Sequence, residues 1–433
     1  MLKCDSRLVN EGDTFIALKG EKYDGHKFVE EAIRKGAKEV IVEYGEYSVP
    51  TKYVESTKEY LKEYLKENFP NIKVIGVTGT NGKTTTCYLI WQMFKLLGVK
   101  CAYIGTLGFY LNQKVKDLIN TTPGSIELFD LINEAASKNY RYVVMEVSSQ
   151  ALSQERVDFI NFDYAIFTNL TQDHLDYHKT MENYALAKQK LFHLLKSSGV
   201  SIINEDDRYC DIFKVKNYVT YGYKDCDYVI DGITKFKLND DIYNTRLVGR
   251  YNTYNMVAAI CLFYQIGYNN KELKKVVSKC ECPDGRMDLI VRKKRSAIVD
   301  YAHTPDAVLN VLSCIKTLKY NRIITVIGCG GNRDKSKRPL MGDIATKNSD
   351  YVIFTSDNPR DENPEDILKD ITDKLDNNNY EIESNREIAI KKAIQLLEKN
   401  DILILLGKGH EKYQIIKDKK IFFDDKKVVL DNM

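Results

Sequence analysis

The residues best able to do chemistry begin at 74–86, VIGVTGTNGKTTT. The stretch departs from the common phosphate-loop spelling G-x-x-x-x-G-K-[ST] at one place. Counting back from Lys83, the first glycine should fall at 77, where the chain has Val77; glycines stand instead at 76, 79 and 82. An apolar run precedes the loop, and TTTCYLIWQMFKLLG, read as an amphipathic helix, follows it. This is the strand–turn–helix setting that such a loop requires. Backbone N–H groups of Gly79, Thr80, Asn81, Gly82 and Thr85 at a helix N-terminus suit phosphate oxygens. Lys83 can neutralise terminal phosphates, and the Thr84 hydroxyl suits magnesium.

Three further groups need explaining. Glu146 lies in the apolar run VVMEV, where an unpaired charge is costly; a salt bridge or a magnesium ion at the strand end would satisfy it. MENYALAKQKLFHLL reads as a helix whose apolar stripe runs Met181, Tyr184, Ala185, Leu191, Phe192 and Leu195, with Lys188 in its middle. A buried ammonium is destabilising by several kcal/mol unless paired or modified. Lys188 is therefore either a snorkelling side chain or a functional amine, open to conversion by carbon dioxide into an anionic metal ligand. In NLTQDHLDYH, His174 and His178 stand among Asp173 and Asp176. On a helix the two histidines could share a metal. The run follows a strand, however, and reads as a loop with His174 facing the site and His178 solvated. Finally, TSDNPRDENPED places Asp357, Asn358, Pro359 and Arg360 just after a strand, in a turn that the proline stiffens. It is a solvated Asn-Pro turn or a carboxylate receptor, since arginine grips a carboxylate through two parallel hydrogen bonds.

These residues must be positioned by a chain of 433 residues, enough for about three domains at ~150 residues each. Hydrophobic residues make up 43%, so ordinary cores can form. The 64 basic and 61 acidic residues leave a net charge of +3, which argues against a dedicated nucleic-acid surface. No apolar run approaches the ~18 residues of a membrane helix. The N-terminal residues carry no apolar signal core, and the ten cysteines are scattered without a C-x-x-C pair. A cytoplasmic protein with free thiols and no membrane or nucleic-acid partner is expected. Residues 1–70 read as a small α/β unit. Residues 71–283 alternate apolar runs with helical patterns, which indicates a parallel sheet with crossover helices. CECPDGRMD (280–288) reads as a hinge, and a new strand series fills 284–433. Nearly every strand ends in polar residues, and ligands of doubly wound sheets bind beyond the carboxyl ends of the strands.

By this point the motifs resemble a known family. GTNGKTT, MEVSSQAL, TNLTQDHLDYH, YALAKQKLF, GRYNTYNMVAA, DGRMD, DYAHTPDA and CGGNRDKSKRPLMG follow the order and spacing of the Mur ligases, whose own loop carries the same one-position departure. The resemblance spans essentially the whole chain. It implies an α/β protein of three domains: small N-terminal, central P-loop with a doubly wound sheet, and C-terminal Rossmann-like. It also implies ATP and Mg2+ as cofactors and a monomer. The implied reaction forms an amide on UDP-MurNAc-L-Ala-D-Glu by way of an acyl phosphate. By similarity Lys188 is carbamylated and joins Thr84, Glu146 and His174 around the metal, with Lys83, Glu146, Lys188 and His174 as the catalytic set.

Asn255, Arg286 and Asp300 match adenine and ribose contacts, with Asn252 and His303 as neighbours. Cys4, Ser6, Lys22, Tyr23, Asn120, Thr121, Thr122, Ser148, Gln154 and Arg156 match the nucleotide-sugar positions. Asn120–Thr122 also read as a helix start, with Thr-Pro as cap chemistry. Arg333, Asp357, Asn358, Pro359, Arg360, Gly407 and Glu411 match contacts to meso-diaminopimelate. Lysine-adding members usually lack the arginine of D-N-P-R, which weighs against lysine. A folylpolyglutamate synthetase, the other relative sharing the loop and the lysine, lacks the N-terminal DSR…GDTFIALKGEKYDGH signature and the D-N-P-R turn.

Overall fold

Each apolar run flanked by turn residues becomes a strand, and the strands collect into three successive sheets. The computed structural model describes residues 1–20, 24–215, 217–292 and 295–433. The first sheet is small and parallel: β1 (Leu2–Lys3), β2 (Thr14–Ile16), β3 (Glu39–Val42) and β4 (Thr51–Tyr53), in that order. The helix Thr57–Glu67, N-capped by Ser56 onto Glu59 N, leads away from it. Its Leu61 and Leu65 join Ile16 and Ile41 in the core of the next sheet, so the N-terminal unit packs directly on its neighbour.

That neighbour has eleven strands: β5 (Lys73–Thr78), β6 (Cys101–Gly105), β7 (Gly108–Tyr110), β8 (Lys114–Lys116), β9 (Tyr142–Glu146), β10 (Phe162–Phe167), β11 (Leu195–Asn204), β12 (Tyr218–Gly222), β13 (Tyr228–Gly232), β14 (Lys235–Leu238) and β15 (Asp241–Asn244). The order is β15-β14-β13-β12-β11-β10-β5-β9-β6-β7-β8. The core, β6-β9-β5-β10-β11, is parallel. The chain steps out from β5 to β6, returns to β9, then crosses to β10 on the far side of β5. The reversal opens a crevice at the carboxyl end of β5, where doubly wound sheets hold ligands.

The third sheet contains β16 (Asp288–Arg292), β17 (Arg295–Asp300), β18 (Ile323–Ile327), β19 (Tyr351–Phe354), β20 (Tyr380–Ile382) and β21 (Ile402–Leu406), ordered β16-β17-β21-β18-β19-β20 and parallel except at β16. A hairpin of β22 (Tyr413–Ile416) and β23 (Lys419–Phe422) follows.

One sequence expectation fails here. The helix after the loop, Lys83–Leu96, is not amphipathic in its setting: Thr84–Cys87, Leu89–Trp91, Met93 and Phe94 are all buried. It lies between the sheet and the helix Arg250–Ile266. Phe94 stacks on Tyr142 at 4.4 Å on one side and meets Phe263 at 4.6 Å on the other. A helix covered on two sides needs apolar residues all round.

Candidate active site

The loop between β5 and the helix Lys83–Leu96 is held too tightly for side chains. A Cβ at Gly79 would lie 1.9 Å from Thr168 Oγ1, and one at Gly82, where φ is 86°, would lie 2.4 Å from Asn255 Oδ1. Glycine removes both clashes and frees the backbone N–H groups. Parallel pairing sets Val77 opposite Glu146, so the loop and the Glu146 carboxylate end up side by side. Glu146 is wholly buried. Its Oε1 accepts from Tyr103 Oη (2.7 Å) and Thr106 N (2.8 Å). Its Oε2 accepts from Thr84 Oγ1 (2.8 Å) and Thr106 Oγ1 (3.2 Å). All four donors are neutral. The carboxylate is thus oriented, and among the described residues no cationic group bonds to it, which disposes of the salt-bridge alternative.

Lys188 is 1% exposed, so it does not snorkel. Its Nζ donates to Gly79 O at 2.8 Å and lies 4.5 Å from the centre of the Tyr184 ring. Lys83 Nζ donates to the same oxygen at 2.9 Å and to Thr80 O at 2.8 Å. Burial, with the Lys83 charge added, pushes the Lys188 pKa well below its ordinary value. Burial also lowers that of Lys83. Its surroundings beside the phosphate loop thus disfavour the charged form of Lys188.

His174 stands at φ 54° with its side chain 44% exposed and Nε2 3.4 Å from Asp173 Oδ2. His178 corrects its expectation. Leu175–His178 form one helical turn rather than a loop, which turns His178 inward. The ring is buried, its Nε2 2.9 Å from Ser149 Oγ and its centroid 5.0 Å from that of Tyr184. The two histidines therefore face different surroundings.

One cleft of about 1190 Å³ joins the three walls of the site. The loop residues Thr80–Thr85, Glu146 and His174 line its floor. Toward the third sheet, Asn255 accepts from Thr86 Oγ1 (3.3 Å) and donates to Asn252 Oδ1 (3.3 Å). The Arg286 guanidinium lies 4.4 Å from the centre of the Tyr301 ring and donates to Thr84 Oγ1 at 3.5 Å. Asp300 accepts from Met287 N (2.7 Å) and Ala302 N (2.8 Å), and burial raises its pKa. Asn81 reaches across to Asp306 Oδ2 at 3.0 Å, a tie between the phosphate loop and the third sheet's first helix.

Asn120–Thr122, Ser148 and Arg156 form a second wall. Thr122 does not cap a helix, contrary to the Thr-Pro expectation: the helix Ser125–Ser137 starts from Gly124. Thr122 Oγ1 instead donates to Glu146 O (2.9 Å) and accepts from Ser148 N (3.0 Å), and Arg156 donates to Thr122 O (2.9 Å). Tertiary hydrogen bonds outcompete the local cap. Gln154 accepts from Arg156 Nε at 2.9 Å without lining the cleft. Cys4 and Ser6 also lie off the lining; Ser6 donates to Glu31 Oε2 at 2.9 Å. Lys22 and Tyr23 fall outside the described residues.

The third wall comes from the carboxyl ends of β18, β19 and β21. Arg360 stands at φ 53°, is half-buried, and donates to Gly331 O at 2.7 Å; Arg333 lines the cleft beside it. Pro359 O accepts from Glu362 N at 3.1 Å, so the turn closes just after the proline. Asn358 donates to Glu411 Oε2 at 2.8 Å, and burial followed by repulsion from Asp357 raises the Glu411 pKa. Gly407, at φ 107°, brings the backbone against Asp357. Sequence reasoning missed Tyr103, Thr106, Asp306 and Lys408. Tyr103 and Thr106 sit on a strand and tight turn with no motif of their own. Lys408 carried a signal, a lysine between two glycines just beyond the apolar run of β21.

A phosphate loop on a doubly wound sheet, facing a Rossmann-like sheet across one polar cleft, defines the class: a nucleotide-binding α/β enzyme. Comparison with known proteins narrows it. The chain matches the family models described as Mur ligase family, catalytic domain (residues 1–80), Mur ligase middle domain (77–263) and Mur ligase, glutamate ligase domain (285–409). It is 42% identical to a UDP-N-acetylmuramoyl-L-alanyl-D-glutamate–2,6-diaminopimelate ligase of Fusobacterium nucleatum, over 99% of this chain and 92% of that protein. A protein of the same name from Clostridium perfringens is also 42% identical, over 99% and 94%. A solved structure of a ligase of that name superposes with a TM-score of 0.69 at 33% identity, covering 100% of this chain and 94% of the other. The chain belongs to the Mur ligase family.

Proposed function

We propose that the protein joins meso-diaminopimelate to the D-Glu carboxylate of UDP-MurNAc-L-Ala-D-Glu with cleavage of ATP to ADP and phosphate, in peptidoglycan precursor synthesis. The single observation that carries this reading is that one cleft is lined by Lys83, Thr84 and Glu146, by Asn120–Thr122, and by Asp357, Asn358, Arg360 and Glu411. In the proposed reaction the terminal P–O bond of ATP breaks and the D-Glu carboxylate takes the phosphoryl group. The incoming amine then attacks the acyl carbon, loses a proton, and phosphate leaves. Chemistry of this kind depends on positioning and charge neutralisation. The loop N–H groups and Lys83 hold the triphosphate. Asn255, Arg286 and Asp300 hold the nucleoside; Asn120–Thr122, Ser148, Gln154 and Arg156, with Cys4, Ser6, Lys22 and Tyr23, serve the nucleotide sugar. Arg333 and Arg360 take the distal carboxylate of the amino acid, with Asp357, Asn358, Pro359, Gly407 and Glu411 around it.

Magnesium fits the residues present, because Thr84 and Glu146 offer hard oxygens at 2.8 Å from each other and the buried carboxylate lacks a bonded cation. When bound, the ion supplies positive charge against the phosphate oxygens. As a carbamate, formed when its amine adds to carbon dioxide and releases a proton, Lys188 would offer this donor set an anionic oxygen, and His174 would complete the set. We further propose functional units at 1–70, 71–283 and 284–433, a monomer, and a cytoplasmic location. No helix among the described residues is long and apolar enough to cross a membrane.

The test is phosphate release by the purified chain with ATP, magnesium and UDP-MurNAc-L-Ala-D-Glu, with meso-diaminopimelate, lysine or ornithine as acceptor. Turnover with diaminopimelate well above the other two supports the assignment. Preference for lysine overturns the amino-acid specificity, and stimulation by a folate instead of the muramoyl dipeptide overturns the substrate.

A further inference from the structure

A cation that no motif assigned bonds the residues lining the amino-acid end of the cleft. Lys408 follows β21 and is 0% exposed. Its neighbours Gly407 and Gly409 have φ of 107° and 53°, and a Cβ at Gly409 would lie 2.6 Å from Tyr301 Cβ. Two left-handed residues around it turn the lysine stem inward under the turn that follows β19. There Nζ donates to Asn358 Oδ1 at 3.1 Å, to Glu411 Oε2 at 3.4 Å and to Asp357 Oδ1 at 3.5 Å. The partners are themselves fixed. Asn358 bonds Glu411, Ile415 N donates to Asn358 Oδ1 at 3.0 Å, and Gln414 donates to Asp357 O at 2.8 Å.

Charge counting shows what this does. Asp357 and Glu411 bring two negative charges to one end of the cleft, and Lys408 balances one. Among the described residues, the other fully buried cations of this sheet form their ion pairs elsewhere, Arg386 with Asp425, and Arg338 with Glu362 and Asp370, and Lys408 alone among these cations bonds the acid pair directly. One net negative charge is left on the acid pair, beside the arginines Arg333 and Arg360. An acid pair next to a guanidinium pair is complementary to a carbon bearing both an ammonium and a carboxylate. A lone ammonium would not use the arginines, and a lone carboxylate would not use the acids.

We propose that Lys408 is a specificity-determining positioning residue, which holds Asp357 and Glu411 together so that they recognise the distal ammonium of a diamino acid. This rests on the reading of the amino-acid end given above. Without Lys408 the two buried carboxylates would repel each other, and either rotation or protonation would remove the ammonium site. The arginines would still hold the carboxylate.

The experiment compares meso-diaminopimelate with 2-aminopimelate, which keeps both carboxylates but lacks the distal amine, by phosphate release with the full chain. Wild type should favour diaminopimelate. Lys408→Met should lower kcat/KM for diaminopimelate by roughly 30-fold or more, mostly through KM. It should change kcat/KM for 2-aminopimelate little, so discrimination collapses. The KM values for ATP and the muramoyl dipeptide should stay put. A merely structural role would lower both acceptors together, and that result, or an unchanged ratio, overturns the proposal. Should the methionine variant fail to fold, Lys408→Gln keeps part of the stem and a donor, removes the charge, and is read by the same ratio. A wild type that does not use diaminopimelate overturns the reading of the amino-acid end, whereas a discriminating wild type with an unmoved ratio in the variants overturns the role of Lys408 alone.

Discussion

Lys188 and Lys408 are both buried lysines at the carboxyl ends of parallel sheets, yet their surroundings are opposite. Lys408 has two carboxylates and an amide oxygen within 3.5 Å. Lys188 has one backbone carbonyl, shared with another amine, and an aromatic ring. The first environment surrounds the amine with acceptors and uses it as a fixed brace between two acids. The second disfavours an ammonium beside a phosphate loop. Burial alone therefore says little about a lysine's task; the partners decide it.

The comparison can be broken most sharply at Lys188. Lys188→Ala should lower kcat by roughly 1,000-fold, as loss of a group that stabilises transferring charge does, and short added carboxylates should restore part of it. Wild-type activity in phosphate release would remove Lys188 from the chemistry. The stability effects should then run the other way. Lys408→Met strands two carboxylates and should destabilise by about 3–5 kcal/mol, whereas Lys188→Met removes a poorly paired amine and should be neutral or stabilising. Denaturant melts of the two variants check this, and equal losses would erase the contrast.

Arg360→Ala should reduce kcat/KM for diaminopimelate by about 2–5 kcal/mol, with the ATP values unmoved; unchanged kinetics would show that the arginine holds nothing. The pH dependence of stability offers a finer test. Burial holds the folded-state pKa of Lys188 below its ordinary value of 10.5. Between the two values the unfolded chain binds a proton that the folded chain does not, so stability rises with pH toward 10.5, by up to about 1.4 kcal/mol per unit. In carbonate-free buffer Lys188→Met should lose that part of the slope, leaving the same-signed contribution of Lys83; an identical slope in the variant would mean that the amine stays charged. The smallest effect is expected at Asn81. Asn81→Ala removes a 3.0 Å bond to Asp306 between the loop and the third sheet. It should raise the KM for ATP about 5-fold, equivalent to about 1 kcal/mol, and no change would show that this tie does not steady the nucleotide end.

Much of the site was legible because its residues break local rules. Lys188 interrupts an apolar stripe, Glu146 interrupts an apolar strand, and the loop glycines interrupt both strand and helix. Each violation survives only if something non-local compensates, so each marks a functional position. His178 and Thr122 were misread for the converse reason. His178 looked like a solvated residue and Thr122 like a helix cap, and in each case a longer-range partner, Ser149 or the end of β9, supplied a better bond. The helix Lys83–Leu96 was misread because apolar periodicity seen from one side does not reveal a second covering layer.

The sequence by itself determined the elements, the phosphate loop, and the identity of the anomalous charges, since propensity, periodicity and burial cost act over a few residues. It could not determine which atoms satisfy those charges. That four neutral donors hold Glu146, that Lys188 joins Lys83 on one carbonyl, and that Lys408 reaches Asp357 depend on strand order and register, which bring residues far apart in the chain within 3.5 Å. Hydrogen bonding at that range is decided by the tertiary fold, because only packing fixes positions to a fraction of an ångström.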